Sequence, residues 1–201
     1  MPTTATRRRS PASEGRRAQI LRCAAQLFAS RGFHGASVDD LGAAAGVTGP
    51  ALYRHFRAKE DILAELLVSA SERLLEGGRR RVEGAHGPAE ALDALIDFHV
   101  AFALGEPDVI TVQQRDLSSL PPRTRRAVRA LQHEYVGLWV GVVGQLTGCS
   151  PERALAAAHA AFGLMNSTPH SARLPSAAMS ALLREMAGAA LRATSGGALT
   201  S

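Results

Sequence analysis

Residues 37–63 read SVDDLGAAAGVTGPALYRHFRAKEDIL, and this stretch decides the fold. It predicts two short helices joined by a tight turn, with a further helix starting just beyond. Ser37 suits a helix cap, and Asp40 three residues on completes an S-x-x-D box that favours the positive end of a helix. Val38, Leu41 and Ala45 recur at helical spacing, and Gly46 stands where the helix must stop and the chain turn. Thr48 caps the next helix, with Pro50 in its first turn, where a missing N–H costs little. Leu52 and Phe56, four apart, face inward and leave Tyr53, Arg54 and His55 pointing largely elsewhere. The pattern is a helix-turn-helix whose second helix carries an exposed aromatic and cationic set.

The run Ala45-Gly46-Val47, followed by Leu52-Tyr53-Arg54-His55-Phe56 and Lys59, resembles the DNA-binding head of the TetR family of one-component transcriptional regulators. The resemblance covers about residues 16–70. Gly42 departs from it, since the family usually has Ala there; a small residue still allows close helix packing, at roughly 1 kcal/mol of helix propensity. What the resemblance implies is an all-α fold, with an N-terminal three-helix DNA-binding head and a C-terminal helical ligand-binding and dimerisation domain. It also implies where DNA is touched. Ser37 would set its hydroxyl and helix N-terminus on a phosphate, and Tyr53, His55 and Lys59 would contact phosphates too. Thr48, Gly49 and Pro50 would form the tip that meets base edges and thymine methyls, with Arg54 reaching a base or a phosphate. So few hydrogen-bonding side chains at the tip leave DNA shape and half-site spacing to supply much of the specificity.

The charge distribution agrees with a nucleic-acid partner. Residues 1–60 hold ten Lys and Arg against four Asp and Glu, a net of +6, whereas residues 61–201 hold thirteen against fourteen, a net of −1. All the excess positive charge sits in the head, where counterion release from DNA would contribute affinity. Lys59 is the only lysine in the chain.

Other classes are disfavoured. No apolar run approaches the roughly 18 residues of a membrane span, and no apolar segment follows the N-terminal arginines as in a secretory signal, so a cytoplasmic protein with no membrane partner is expected. Cys23 and Cys149 stand far apart without a C-x-x-C, which argues against a disulfide scaffold or structural zinc. No H-E-x-x-H, G-x-S-x-G or phosphate loop occurs, so neither catalytic residues, a metal nor a cofactor is expected.

Residues 1–13 are expected to form a disordered basic arm, 14–58 the helix-turn-helix domain, 59–195 the helical regulatory and dimerisation domain, and 196–201 a flexible tail. The first helix should run over about 14–30 on an apolar face of Ile20, Leu21, Ala24, Leu27 and Phe28. The fourth should open at Lys59-Glu60-Asp61 and stop at Gly77-Gly78, placing Arg79-Arg80-Arg81 in a loop. Pro88, Pro122, Pro151 and Pro175 open later helices, and Gly105 and Gly148 close two of them. Residues 167–174 read as a polar loop. Alanine-rich runs at 154–161 and 187–190 permit close helix approach. By the resemblance, the last two long helices pair with their copies to make a homodimer, matched to palindromic double-stranded operator DNA.

The body carries Phe98, Phe102, Tyr135, Trp139 and Phe162, five of the nine aromatic residues, with Met165 beside them. With His99, Gln114 and Asn166 as polar members they would line an effector pocket. For any single one of them core packing is the favoured reading, and a histidine on an apolar stripe such as His99 is more often a core residue than a ligand contact. The segment from Phe98 through Pro107, Gln114 and Leu120-Pro121 to Tyr135 and Trp139 also resembles a fatty-acid and acyl-CoA responsive subgroup. That implies an acyl-thioester whose phosphates would meet Arg115, Arg123, Arg125 or Arg126; a drug-like or polyketide-like molecule fits the same residues. The expected function is a repressor that leaves its operator on binding an apolar small molecule. The alternatives are a ligand-independent DNA-binding protein and an activator of the same fold.

Overall fold

The computed structural model describes residues 11–171 and 173–194, with side chains from residue 14 onward. The expected tail at 196–201 and the first ten residues of the expected arm lie outside that range. Residues 11–13, assigned to the arm, instead form the first turn of α1 (Pro11–Arg31). Every regular element among the described residues is a helix.

Two caps set the head. At α2 (Val38–Ala45), Ser37 Oγ accepts the Asp40 N–H at 3.0 Å while the Asp40 carboxylate accepts the Ser37 N–H at 3.0 Å, a reciprocal capping box. These Ser37 hydrogen bonds, with Arg31 adding its charge, hold the Asp40 carboxyl below the usual carboxylate range. Gly46 ends α2 at φ 64°, a left-handed position that suits glycine, and Val47 N–H donates to Gly42 O at 2.9 Å. A Cβ on Gly42 would stand 2.9 Å from Val47 O, so the residue that departs from the family pattern lies directly under the turn. Thr48 then caps the short α3 (Gly49–Tyr53), its Oγ1 accepting the Ala51 N–H at 3.4 Å.

The fourth helix corrects the sequence reading. α4 runs from Lys59 to Glu83, straight through Gly77 and Gly78, and carries Arg79, Arg80 and Arg81 in its last turns. Both glycines are buried inside the helix because aromatic rings press on it. A Cβ at Gly77 would sit 2.1 Å from Phe98 Cζ, and one at Gly78 would sit 2.7 Å from Tyr135 Cε2. The pair marks close approach of α4 to its neighbours instead of a stop.

The body follows as α5 (Pro88–Gly105), α6 (Pro107–Asp116), a 3-10 turn at Leu117–Ser119, α7 (Pro122–Thr147) and α8 (Pro151–Met165). A single turn, α9 (Thr168–Ser171), occupies the expected polar loop, and α10 (Ser176–Arg192) completes the chain. Proline opens α5, α6, α7 and α8 at first-turn positions, where its missing N–H is free of cost.

The apolar residues divide into two cores. The first joins the head (Ile20, Phe28, Leu41, Leu52, Phe56) to the first half of α4 and to Val109 and Val112 of α6 and Val128 of α7. The second joins the rest of α4 to α5, α7, α8 and α10 through Leu92, Leu95, Trp139, Val143, Met165 and Leu183. On α4 the division falls between Ala70 and Leu74, well inside the expected regulatory domain. Among the described residues no helix is long and apolar enough to cross a membrane.

Candidate functional site

α3 is anchored by one side chain and otherwise faces out. Leu52 is buried, while Thr48, Pro50, Tyr53 and Arg54 are exposed, Tyr53 by 53%, and Gly49 and His55 are half-buried. The structure therefore brings the expected tip residues to one outward end of the head. What holds that end was missed in the sequence. Arg17 of α1 pairs with Glu65 of α4, donates to the His55 carbonyl, and lies 4.0 Å from the centre of the Phe56 ring. One guanidinium thus ties α1, the exit of α3 and α4 together. An arginine just before the apolar face of a basic helix gave no signal to separate it from its neighbours.

Two expected phosphate contacts have prior commitments. Lys59 Nζ donates to the carbonyls of Phe33 and Ala36, both at 2.8 Å, and lies 4.5 Å from the Phe33 ring centre. Two of its three protons brace the turn that presents Ser37, leaving one for any other partner. The Ser37 hydroxyl is exposed but lies 2.6 Å from the Asp40 carboxylate, so a phosphate there would have to draw its proton away.

In the body, His99, Tyr135, Trp139, Phe162 and Asn166 come together as a packed cluster, with Met165 buried in the same core. The His99 ring stacks on Tyr135 with centroids 5.8 Å apart, and lies 4.9 Å from Phe162 and 5.9 Å from Trp139. Asn166 Oδ1 is 3.0 Å from His99 Nε2, which makes Nε2 the protonated nitrogen and leaves Nδ1 to accept the Tyr135 hydroxyl at 3.1 Å. Burial lowers the His99 pKa to about 4 against a smaller opposing effect of the Asn166 bond, so the imidazole is neutral at pH 7. Burial likewise pushes the Tyr135 phenol up. The Trp139 Nε1–H is buried without a hydrogen-bond partner among the described residues.

Three expected residues sit apart from that cluster. Phe102 touches its edge, 6.2 Å from His99. Phe98 lies against Gly77, under the guanidinium of Arg81, on the wall of a cleft of about 530 Å³ between α4 and α5. Gln114 is exposed on α6, because Val109, Val112 and Asp116 take the buried face of that helix. Arg115, expected to meet effector phosphates, is engaged elsewhere. It donates to the carbonyls of Phe28 and Ala29 at the end of α1 and pairs with the buried Asp116 at 3.0 Å. Arg125 donates to Ser118 O at 3.1 Å. Among the described residues no group of His, Cys, Asp and Glu side chains is placed to hold a metal ion.

A helix-turn-helix head seated on a larger all-helical body is the class that this fold defines. Family models agree in both parts: "Bacterial regulatory proteins, tetR family" matches residues 20–66, and "Tetracyclin repressor-like, C-terminal domain" matches residues 85–170. The chain belongs to the TetR family of regulators, which are not enzymes. The transcriptional repressor KstR2 of Rhodococcus jostii is 30% identical over 130 residues, 64% of each chain. The chain thus spans just under two thirds of that relative's length, and 37–64% of the other curated relatives'. Among solved structures, the regulator PfmR from Thermus thermophilus superposes with a TM-score of 0.73 at 26% identity, over 86% of this chain and 97% of that one. AibR, solved with isovaleryl coenzyme A and operator DNA, gives a TM-score of 0.71 at 22% identity, over 85% and 97%.

Proposed function

We propose that the protein is a homodimeric DNA-binding repressor of transcription that leaves a palindromic operator when an apolar small molecule binds its body. The observation that carries the reading is the outward end of α3. Thr48, Pro50, Tyr53 and Arg54 are exposed together there, within the first 60 residues that hold all of the chain's excess positive charge. A helix tip of that size and charge suits the major groove, with phosphates on either side. KstR2, named a repressor, and AibR, solved on operator DNA with an acyl-coenzyme A, support the direction and the effector class.

Dimerisation is supported by what α8 and α10 leave uncovered. Leu155, Leu182 and Met186 are 41%, 39% and 47% exposed, beside small exposed residues at Ala156, Ala160, Ala189 and Ala190. Apolar side chains on such a small-residue surface favour a second copy packed closely against it. Repression is relieved if the effector prefers the arrangement in which the two heads sit at the wrong spacing. A tenfold loss of operator affinity requires about 1.4 kcal/mol of such preference, and DNA must weaken the effector equally.

The test is a gel shift on DNA flanking the protein's own coding region, with salt and acyl-coenzyme A series. Specific binding, lost in Tyr53→Ala and Arg54→Ala and in a monomeric Leu182→Glu/Met186→Glu variant, is the expected result. Full affinity in the Tyr53 and Arg54 variants would refute the placement of DNA on α3, and no release by any acyl-coenzyme A would refute that effector class.

A further inference from the structure

Two clefts in this molecule share one wall. Leu74, Phe98, Ala101 and Phe102 floor the cleft of about 530 Å³ between α4 and α5. Leu21, Ala25, Leu66 and Val109 floor another of about 460 Å³, enclosed by α1, α4 and the start of α6. Arg73 and Glu106 line both. They face each other fork to fork, with Nη1 to Oε1 at 2.9 Å and Nη2 to Oε2 at 2.7 Å. The ion pair is the partition between the clefts.

Three observations make that partition displaceable and consequential. The pair is open to water, with side chains 56% and 33% exposed, so screening leaves it weak. Glu106 occupies the single-residue joint between α5 and α6, outside both helices. The pair also stands at the seam of the two cores: Arg73 lies between Ala70 of the first and Leu74 of the second, and Phe102 packs on both. With Glu106 removed, the remaining charged groups of the second cleft are Arg22 and Arg73 against Asp108 alone. The first cleft keeps Glu72 and Glu76 against Arg73 and Arg80. A free anion is therefore better received from the α1 side.

We propose that Arg73 is the headgroup receptor of an effector site in the second cleft, and that its ligand is an amphipathic carboxylate. The ligand carboxylate takes the place of the Glu106 carboxylate on the guanidinium fork and keeps the two parallel hydrogen bonds. Its apolar body lies along Leu21, Ala25, Leu66 and Val109. Those residues belong to or pack on the head's own core, so filling the cleft bears on α1, while the freed Glu106 loosens the joint beside the second core. The binding step stands without reference to DNA; only its effect on the head rests on the function proposed above.

The experiment is calorimetric titration of the full-length protein with decanoate below its micellar range, with 1-decanol as the uncharged probe. Wild type is expected to bind decanoate saturably at one per chain. Arg73→Gln is expected to lose about three- to fivefold in affinity, the scale of one exposed charged pair, and Glu106→Gln to gain several-fold because the competing carboxylate is gone. Decanol should bind all three proteins alike. Equal decanoate binding by wild type and Arg73→Gln would overturn the proposal. So would weaker binding in Glu106→Gln, or the absence of saturable binding in both wild type and Glu106→Gln. A gel shift then separates the two readings. Decanoate that binds as expected yet leaves a specific DNA complex intact would refute the coupling to the head. Specific DNA binding by a protein that ignores decanoate would refute this site alone.

Discussion

Replacing Gly77 by alanine sets two effects of similar size against each other. In a helix interior the change gains about 1 kcal/mol of propensity. Here the new Cβ would meet Phe98 Cζ at 2.1 Å and both Cε atoms within 2.8 Å, so the tip of the ring points straight at it. The ring must swing toward the cleft, leaving its position 4.4 Å under the Arg81 guanidinium. Overpacking of this kind costs about 1–3 kcal/mol. Gly141, on the exposed side of α7, provides the control, because a Cβ there meets nothing within 4 Å. Gly141→Ala should stabilise by up to about 1 kcal/mol. Gly77→Ala should be neutral to destabilising by about 2 kcal/mol. The difference between the two, about 1–3 kcal/mol, isolates the packing cost and corresponds to roughly 2–12 °C in Tm for a chain of this size. Thermal and urea unfolding followed by circular dichroism would measure it, at matched concentration because any self-association makes Tm concentration-dependent. Adding Phe98→Leu, which removes the ring tip, should relieve the Gly77→Ala defect. Equal stabilisation by both glycine variants would refute the reasoning that ring packing explains the glycines in α4.

Two further outcomes follow from single residues. His99 has a native pKa of about 4 against an ordinary 6.5, so the unfolded chain binds the extra proton first. Its contribution to stability is complete above pH 6.5 and falls as pH drops toward 4, by up to about 3 kcal/mol, so pH-dependent urea melts should be flatter over that interval in His99→Gln. Lys59→Ala strands two carbonyls, and should lower stability by about 2 kcal/mol as well as DNA affinity; an unchanged melting curve would show that the braced turn does not depend on it.

Where a local rule governs, the sequence was legible. The Ser37 and Thr48 caps, the Gly46 turn and the proline-opened helices all appear as read, because each depends on residues within a few positions of one another. Gly77-Gly78 misled for a physical reason. A glycine pair looks the same whether it ends a helix or makes room for rings from α5 and α7, and only the fold says which. Arg115 and Lys59 illustrate the same limit. The resemblance assigned each to an anionic partner; the fold adds to each side chain two hydrogen bonds to backbone carbonyls distant in sequence, which no local pattern announces. The aromatic cluster drew notice because aromatic residues are few in this chain, nine in all. Gln114 was misplaced because a ten-residue helix offers two polar faces, and sequence spacing did not identify the one turned to solvent.

The division of the hydrophobic residues into two cores has a consequence for how the molecule comes apart. Cooperative units follow shared burial, and the head shares its burial with the first half of α4, with α6 and with Val128. A fragment cut at residue 58 would keep the three head helices but expose the face of α1 that α4 and α6 cover. The smallest autonomous piece containing the helix-turn-helix is therefore discontinuous in the chain. Amide exchange should report α6 opening in step with α1, whereas α5, although adjacent to α6 in sequence, should open with α8 and α10.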